Sequence, residues 1–443
     1  MTEGILPVVA VLGASGLIGE TIATGLAREG FSVVPIARRF TRAQWAAFGS
    51  TSVECPLVDL EAPALAQIFT ENRIDIVVNC VGVLQDTTRD RAEVVHHAFV
   101  ERLVGTLEVN SKARLLIHLS IPGSSESDKT LFSTTKRAGE RAIETATVPF
   151  VILRPGFVIA RGAYGGSALI RSLAMLPIDL SPREARQSFA TTDVADIVQT
   201  IAVVARRWRD GERNWAAVWD VMAQQTTTVA DVMNAFRLHL GGPTKRWPLP
   251  SWILGLGATA GNLVALLGWQ PPIRTTALKE MRRGISGNSR PWTAATGIEP
   301  APLEATLNRL QATVQEKWFA RLYLTKALFI ATLAVFWVLS GMVALTVSFS
   351  AATAILTSHG LPAALAGAAA VVSSLADVAV GLAIAFRSTC RAGLVAGIVL
   401  SLLYLAGATM VTPALWIEPL GTLLKIIPGL VLMLVALAML ENR

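Results

Sequence analysis

Pro7-Val-Val-Ala-Val-Leu12 runs directly into Gly13-Ala-Ser15-Gly16-Leu17-Ile18-Gly19. The first stretch is an unbroken apolar run rich in valine, which reads as a strand buried on both faces of a parallel sheet. The second is a glycine turn, and a helical pattern follows it to Gly30. Glycine is needed at three points. The first makes the tight turn, the second lets backbone approach a pyrophosphate, and the third lets helix pack on strand. The amides of the opening helical turn then face an anion. Gly13, Ser15, Gly16, Leu17, Ile18 and Gly19 are therefore candidate dinucleotide contacts.

Working outward, strands are expected near residues 31–36, 53–58, 74–81, 114–120 and 150–154, with helical stretches between them at 90–112 and 128–147. This alternation gives a doubly wound parallel α/β sheet, a Rossmann fold, with ligand at the carboxyl ends of the strands. The second strand ends in Ala37-Arg38-Arg39. An acid that would hold a ribose 2′-hydroxyl is missing there, and a guanidinium can grip a 2′-phosphate in bidentate fashion. NADP(H) is thus favoured over NAD(H), unless both arginines are merely solvated loop charges.

Gly13-x-x-Gly16-x-x-Gly19, Asp59, Asn79-Cys80-Val81-Gly82, Ser120 and Arg154-Pro155-Gly156 together resemble the short-chain dehydrogenase/reductase superfamily over roughly residues 5–240. Thr192-Asp193-Val-Ala-Asp196 matches its extended and atypical members. The resemblance implies cofactor contacts at Asp59 and Leu60, at Asn79 through Gly82, at Lys136, and at Pro155 and Gly156, with Asp59 on the adenine. One departure matters. That family uses Tyr-x-x-x-Lys, whose two side chains share a helix face. Here the stretch is Phe132-Ser-Thr-Thr-Lys136, and the first tyrosine in the chain is Tyr164. Phenylalanine has no proton to give. The catalytic candidates left are Lys136 and Ser120. Ser133 and Thr135 offer unactivated hydroxyls, and Tyr164 would have to reach in on a loop. The pattern resembles the atypical branch that includes dinucleotide-binding accessory subunits of respiratory complex I, whose relatives are connected with ubiquinone. Shared features continue at Thr226-Thr-Thr-Val-Ala-Asp231, Trp247-Pro-Leu-Pro-Ser-Trp252, Gly297-Ile298 and Pro302-Leu303.

The rest of the chain is a different material. Charged residues are only 16% of the whole and mean hydropathy is +0.50. Residues 327–376 contain no Asp, Glu, Lys or Arg. A helix crosses the hydrocarbon in about 20 residues, so this is more than one span. Four spans are expected, near 325–347, 363–386, 391–411 and 421–440, with the first break at 348–362. Lys317, Arg321 and Lys326 precede the first, Arg387 and Arg391 separate the second and third, and Arg443 follows the fourth. The positive-inside rule then puts both termini and the Rossmann domain on the cytoplasmic side of the inner membrane. Asp377 inside the second span needs a partner. Lys425 is a candidate, and an uncharged hydrogen-bonding anchor is the alternative. Leu375-Ala-Asp377-Val-Ala-Val-Gly381 and Pro413-Ala-Leu-Trp416-Ile-Glu-Pro419-Leu-Gly421-Thr-Leu-Leu-Lys425-Ile-Ile-Pro428 resemble the DoxX-like family of four-helix membrane domains. That family is linked to membrane redox partners and quinones.

The expected division is therefore a Rossmann domain at 1–225, a basic, tryptophan-rich cap at 226–323 and a membrane domain at 324–443. Residues 240–326 hold eleven Lys and Arg against four acids, and eight of the eleven tryptophans lie at 208–318. Both features suit a segment at an anionic lipid surface. No nucleic-acid motif accompanies the charge. The uncharged run 252–269 is either cap core or an interfacial helix. Three unpaired cysteines and five histidines without ligand spacing point to no metal and no disulfide framework. Met1-Thr-Glu-Gly is not expected to open a signal peptide. The leading functional expectation is a membrane-anchored NAD(P)H oxidoreductase acting on a quinone or another apolar acceptor near the bilayer. A non-catalytic scaffold or assembly factor for a membrane redox complex is the alternative, with a sugar-nucleotide epimerase or dehydratase third.

Overall fold

Parallel strands β1 (Val8–Leu12), β2 (Ser32–Ala37), β3 (Val53–Glu54), β4 (Ile76–Asn79), β5 (Leu115–Leu119) and β6 (Phe150–Pro155) build one sheet with a seventh strand, Ala216–Val221. Their order is β3-β2-β1-β4-β5-β6 and then the seventh, and every pairing is parallel. The computed structural model describes residues 6–87, 90–109, 114–411, 413–417, 421 and 423–440. The chain divides into two compact units, one of 1–262 with 271–320, the other of 263–270 with 321–443.

Helices α1 (Leu17–Arg28), α2 (Arg42–Phe48), α3 (Ala62–Glu71), α4 (Phe99–Val109) and α5 (Leu131–Glu144) connect the strands. Successive residues of β1 point to opposite faces. Val9 and Val11 join Ile22 and Leu26 of α1, Ile197 and Ile201 of helix Val194–Arg209, and Trp292. Ala10 and Leu12 join Phe69 of α3, Phe99 and Leu103 of α4, and Ile143 of α5. Each fully buried large side chain contributes about 1.5–3 kcal/mol, so the two cores hold the sheet from both sides. The third strand is shorter than the sequence suggests. Pro56 has no N–H to donate to the ladder, and the chain turns there into a 3-10 segment, Leu57–Asp59.

The Thr192-Asp193-Val-Ala-Asp196 stretch works structurally. Asp193 caps helix Val194–Arg209 through the Ala195 N–H (2.9 Å) and pairs with Arg309 (2.7 Å). Asp196 accepts from the Ala301 N–H at 3.1 Å. Burial pushes its carboxyl up to about 6. Farther on, Thr228 and Asp231 form a capping box for helix Val229–Leu240.

In the second unit, helices Thr325–Leu345, Ala363–Ala385 and Cys390–Val411 are long and apolar enough to cross a membrane. A Cβ on Gly341 would stand 2.4 Å from the Ser374 carbonyl oxygen, and one on Gly381 would stand 2.7 Å from the Val338 nitrogen. Small residues thus bring the first two backbones together, as helix pairs in lipid require. Two expectations change. The break at 348–362 contains a helix, Phe349–Ser358, and the fourth span is represented by Ile426–Met439, 14 residues, short for a crossing. Asp377 accepts from the Tyr404 hydroxyl at 2.8 Å, whereas Lys425 is exposed at the start of the last helix and makes no ion pair among the described residues. A neutral phenol satisfies a carboxyl in lipid without desolvating a second charge. Arg443, Thr422 and the stretch 418–420 lie outside the described residues.

The turn after β1 offers a direct test. A Cβ on Gly19 would stand 2.4 Å from the Gly13 carbonyl oxygen, backbone that cannot yield, whereas one on Gly105 in α4 meets nothing within 4 Å. Gly19→Ala is expected to cost about 1–3 kcal/mol through overpacking. Gly105→Ala is expected to be neutral or to gain about 0.5–1 kcal/mol. Thermal or denaturant unfolding of the two variants checks the contrast.

Candidate functional site

The sheet order reverses between β1 and β4, and a crevice for ligand opens at such a switch point. Gly13 leaves β1 there at φ +79°. Its N–H and that of Ala14 both donate to the Ile36 carbonyl, at 2.9 and 3.1 Å. A Cβ on Gly13 would press at 3.2 Å on the Cys80 carbonyl carbon and the Val81 nitrogen. The turn is therefore wedged against the chain leaving β4, and only glycine fits. Gly16 then caps α1 with no side-chain hydrogen bond. Gln44 holds the Ser15 carbonyl (3.2 Å) and Glu20 (2.6 Å). A close-approach glycine turn and a helix N-terminus without a side-chain cap fit a dinucleotide diphosphate.

Just past the end of β2, Arg38 makes a bidentate pair with Asp90 at 2.6 and 3.0 Å. Arg39 beside it is exposed. Glu54, opposite Ala37 in the ladder, is occupied by the Phe40 N–H at 2.6 Å and the Trp45 indole at 3.2 Å. Asp59 is exposed where the 3-10 segment ends, with Leu60 half-buried next to it.

The ends of β4 and β5 carry the candidate catalytic side chains. Asn79 is buried, and its Oδ1 accepts the Val81 N–H at 3.1 Å. Its Nδ2 must therefore donate to His118 Nδ1, 3.1 Å away. The His118 proton then sits on Nε2, which is buried without a hydrogen bond. Lys136 of α5 reaches across these strand ends. Its Nζ donates to the Leu119 carbonyl at 2.9 Å and stands 3.4 Å from where a Cβ of Gly82 would be. Burial lowers its ammonium to about 8, against the opposing pull of Cys80 and Glu140. Burial also pushes the Cys80 thiol up to about 12, so it is no nucleophile at neutral pH.

His96 is the residue that sequence reasoning missed. It lies on a π-helical segment, Val94–Ala98, that leads into α4. The only sequence signal was that His96 and His97 must face apart: His97 meets Glu93 and Glu101 on the surface, while His96 is buried. His96 Nε2 accepts the Val83 N–H at 3.0 Å. Its Nδ1 therefore carries the proton and donates to Thr135 Oγ1 at 3.0 Å, which donates to the Leu131 carbonyl at 2.7 Å. Burial, Lys136 and His118 hold this imidazole neutral. The Phe132 ring meets it edge-on at 5.5 Å. His96 thus ties the loop after β4 to α5, and Phe132 packs on the tie.

Ser120 is buried beside Glu140, which is held by Arg137 (2.7 Å) and Arg154 (2.8 and 2.6 Å). Burial raises the Glu140 carboxyl, but hydrogen bonds from Arg154 and Arg137 outweigh it and keep it below its usual range, while Ser120 Oγ is buried with no hydrogen-bond partner among the described residues. Arg137 and Arg283 both reach Asp128 and the Pro122 carbonyl, closing the chain after β5. Pro155 ends β6. Gly156 donates to Thr192 Oγ1 at 2.8 Å, against the Ala190 carbonyl. Tyr164 is 55% exposed, on the loop whose Gly162 lies against Leu17. The cofactor candidates thus follow the carboxyl ends of β1, β2, β4 and β6, with Asp59 and Leu60 beyond β3. Lys136 and Ser120 both sit at the ends of β4 and β5, while Tyr164 stays on the surface.

Known proteins fit this geometry. Residues 9–215 match the NAD dependent epimerase/dehydratase family, and residues 334–434 match the DoxX-like family. A dTDP-6-deoxy-L-talose 4-dehydrogenase (NAD(P)(+)) from Kitasatospora kifunensis is 24% identical over 266 residues, 55% of this chain and 82% of its own. Among solved structures, WbmG from Bordetella bronchiseptica in complex with NAD has a TM-score of 0.53 at 12% identity, covering 72% of this chain and 97% of that one. The UDP-glucuronic acid 4-epimerase from Bacillus cereus in complex with NAD has a TM-score of 0.51 at 14% identity, covering 71% and 99%. This chain accordingly joins an N-terminal region with a Rossmann fold, which matches the NAD dependent epimerase/dehydratase family, to a C-terminal helical region that matches the DoxX-like family.

Proposed function

We propose that this protein is a membrane-anchored NAD(P)H-dependent oxidoreductase that reduces an apolar carbonyl or quinone near the bilayer, with Lys136 supplying the proton. The observation that carries this reading is the Lys136 ammonium, lowered to about 8 and set at the strand ends where Phe132 offers no hydroxyl. An acid whose pKa lies near the working pH transfers protons efficiently. A bound reduced nicotinamide supplies the hydride. The Lys136 N–H bond breaks as an O–H bond forms on the acceptor oxygen, and water returns a proton to the amine. Neutral His96 and Asn79 keep the loop beneath in one geometry, and Ser120 is a hydrogen-bond donor for the acceptor oxygen. Gly13, Ser15, Gly16, Leu17, Ile18 and Gly19 hold the diphosphate. Asp59, Leu60, Asn79, Cys80, Val81, Gly82, Pro155 and Gly156 line the remainder of the cofactor.

NADP(H) is preferred over NAD(H) in this proposal. No carboxylate ends β2, and Glu54 is already engaged. With Arg38 paired to Asp90, Arg39 is the guanidinium left for a 2′-phosphate. The basic residues 317, 321, 326, 387 and 391 support an inner-membrane location with cytoplasmic termini. The second reading, a dinucleotide-binding scaffold for a membrane redox complex, draws on Phe132 and on a His96 whose two nitrogens are already engaged.

NADPH absorbance, followed with purified protein in detergent and a panel of quinones and aldehydes, separates the two readings. The oxidoreductase reading expects oxidation above the uncatalysed rate. Saturable NADPH binding with no oxidation of any acceptor would favour the scaffold. The proton donor must be charged, so kcat is expected to be full below and to fall as pH rises through about 8. Lys136→Met is expected to lower kcat about 100-fold or more and to abolish that limb. For the adenosine end, Arg39→Ala is expected to weaken NADPH about tenfold or more, with NADH affinity changed less than about twofold. Titration calorimetry with both coenzymes checks it, and equal losses for the two would refute the assignment.

A further inference from the structure

Residues 251–270 contain no charged side chain, yet most of them are exposed. Helix Ser251–Leu266 buries only Leu254, Ala258 and Gly261, a single stripe. Gly261 sits against the Ile273 carbonyl. The remaining surface presents Trp252 at 65%, Leu256 at 61%, Leu263 at 63% and Leu266 at 78% exposure, with Ile253 and Val264 beside them. A soluble helix with one buried stripe carries polar or charged residues on its other side. This one carries apolar residues instead. At about 1.5 Å per residue it is roughly 24 Å long, too short to cross about 30 Å of hydrocarbon.

Its far end is fixed to the membrane unit. The Leu267 carbonyl accepts the Arg387 N–H at 2.9 Å, and the Trp269 indole donates to the Ala385 carbonyl at 2.7 Å. The Arg387 guanidinium lies 5.5 Å from the centre of the Trp269 ring. Ala385 ends the candidate span Ala363–Ala385, and the next begins at Cys390. The helix therefore finishes at the boundary where two spans meet the water. Lys245, before it, and Lys279, after it, are both exposed.

We infer that Ser251–Leu266 is an in-plane interfacial helix. Trp252, Leu256, Leu263 and Leu266 insert into the acyl boundary of the leaflet at the Arg387 end of the spans, and the flanking lysines meet anionic headgroups. Helices with an apolar face and basic flanks take this position, about 5–10 Å into the boundary. The helix also lies one step from the cofactor loop. Arg274 donates to the Asp86 carbonyl at 3.0 Å and contacts Asn262, which bonds Thr275.

The test uses the full chain in proteoliposomes of phosphatidylcholine and phosphatidylglycerol. A photoreactive benzoylphenylalanine is placed at Leu256 or at Leu263, with exposed Glu304 as control. The expected result is a phospholipid adduct at both sites and none at Glu304, with attachment in the upper half of the acyl chain. Four outcomes would overturn the inference. These are no lipid adduct at 256 or 263, an intramolecular crosslink instead, a crosslink to a second copy, or attachment near the terminal methyl groups. Unchanged NADPH affinity of the substituted proteins shows that they are folded.

Discussion

The contact between the backbones of Gly13 and Gly19 sets the geometry of everything that follows. A side chain on either would collide with main chain, one with Cys80 and Val81, the other with Gly13 itself. The absence of two methyl groups therefore lets α1 start at the switch point with no side-chain cap. The rest is arranged around that opening. Gln44 steadies the turn from α2, and the β4 exit, with Asn79 in it, lies directly beneath. The two apolar cores, one on each face of the sheet, provide the rigidity that such a close backbone approach needs.

Electrostatics at the strand ends follow from the same crowding. Asn79 has one orientation because only its oxygen can accept the Val81 N–H, and His118 then has one tautomer. His96 is fixed by the same logic, since an amide N–H can only donate. Both imidazoles are held neutral, so the ammonium of Lys136 stands among groups that solvate it poorly. Glu140, whose charge acts on Lys136, is already divided between Arg137 and Arg154. A lysine in this position gives up its proton more readily than one in water. Phe132 contributes by packing its apolar ring edge-on against the neutral His96 imidazole.

The fold was legible in the sequence because its signals are local. Valine-rich runs ending in glycine or asparagine marked β1 and β4, and the gap in charge at 327–376 marked the membrane helices. What was not legible depended on partners distant in sequence. Arg38 looked free for a phosphate, but Asp90, 52 residues away, holds it. Asp377 needed a partner, either Lys425 or an uncharged anchor, and only the fold shows that Tyr404, on another helix, is that anchor. His96 looked ordinary because nothing local announces that Val83 and Thr135 will close on its two nitrogens. Loop strands such as Phe157–Ile159 with Thr191–Asp193 escaped notice because three residues carry no periodicity.

The two halves of the chain follow opposite rules about what may be exposed. In the Rossmann unit the two cores are apolar, and arginines such as Arg38, Arg206, Arg282 and Arg309 pair with carboxylates. In the membrane helices, exposed positions are Leu, Val and Phe, and the polar atoms turn inward to one another. Residues 251–270 keep the membrane rule while connected in sequence to the first unit. A stretch with that composition, bounded by tryptophans and ending on the backbone of a span terminus, is stable only where water gives way to lipid.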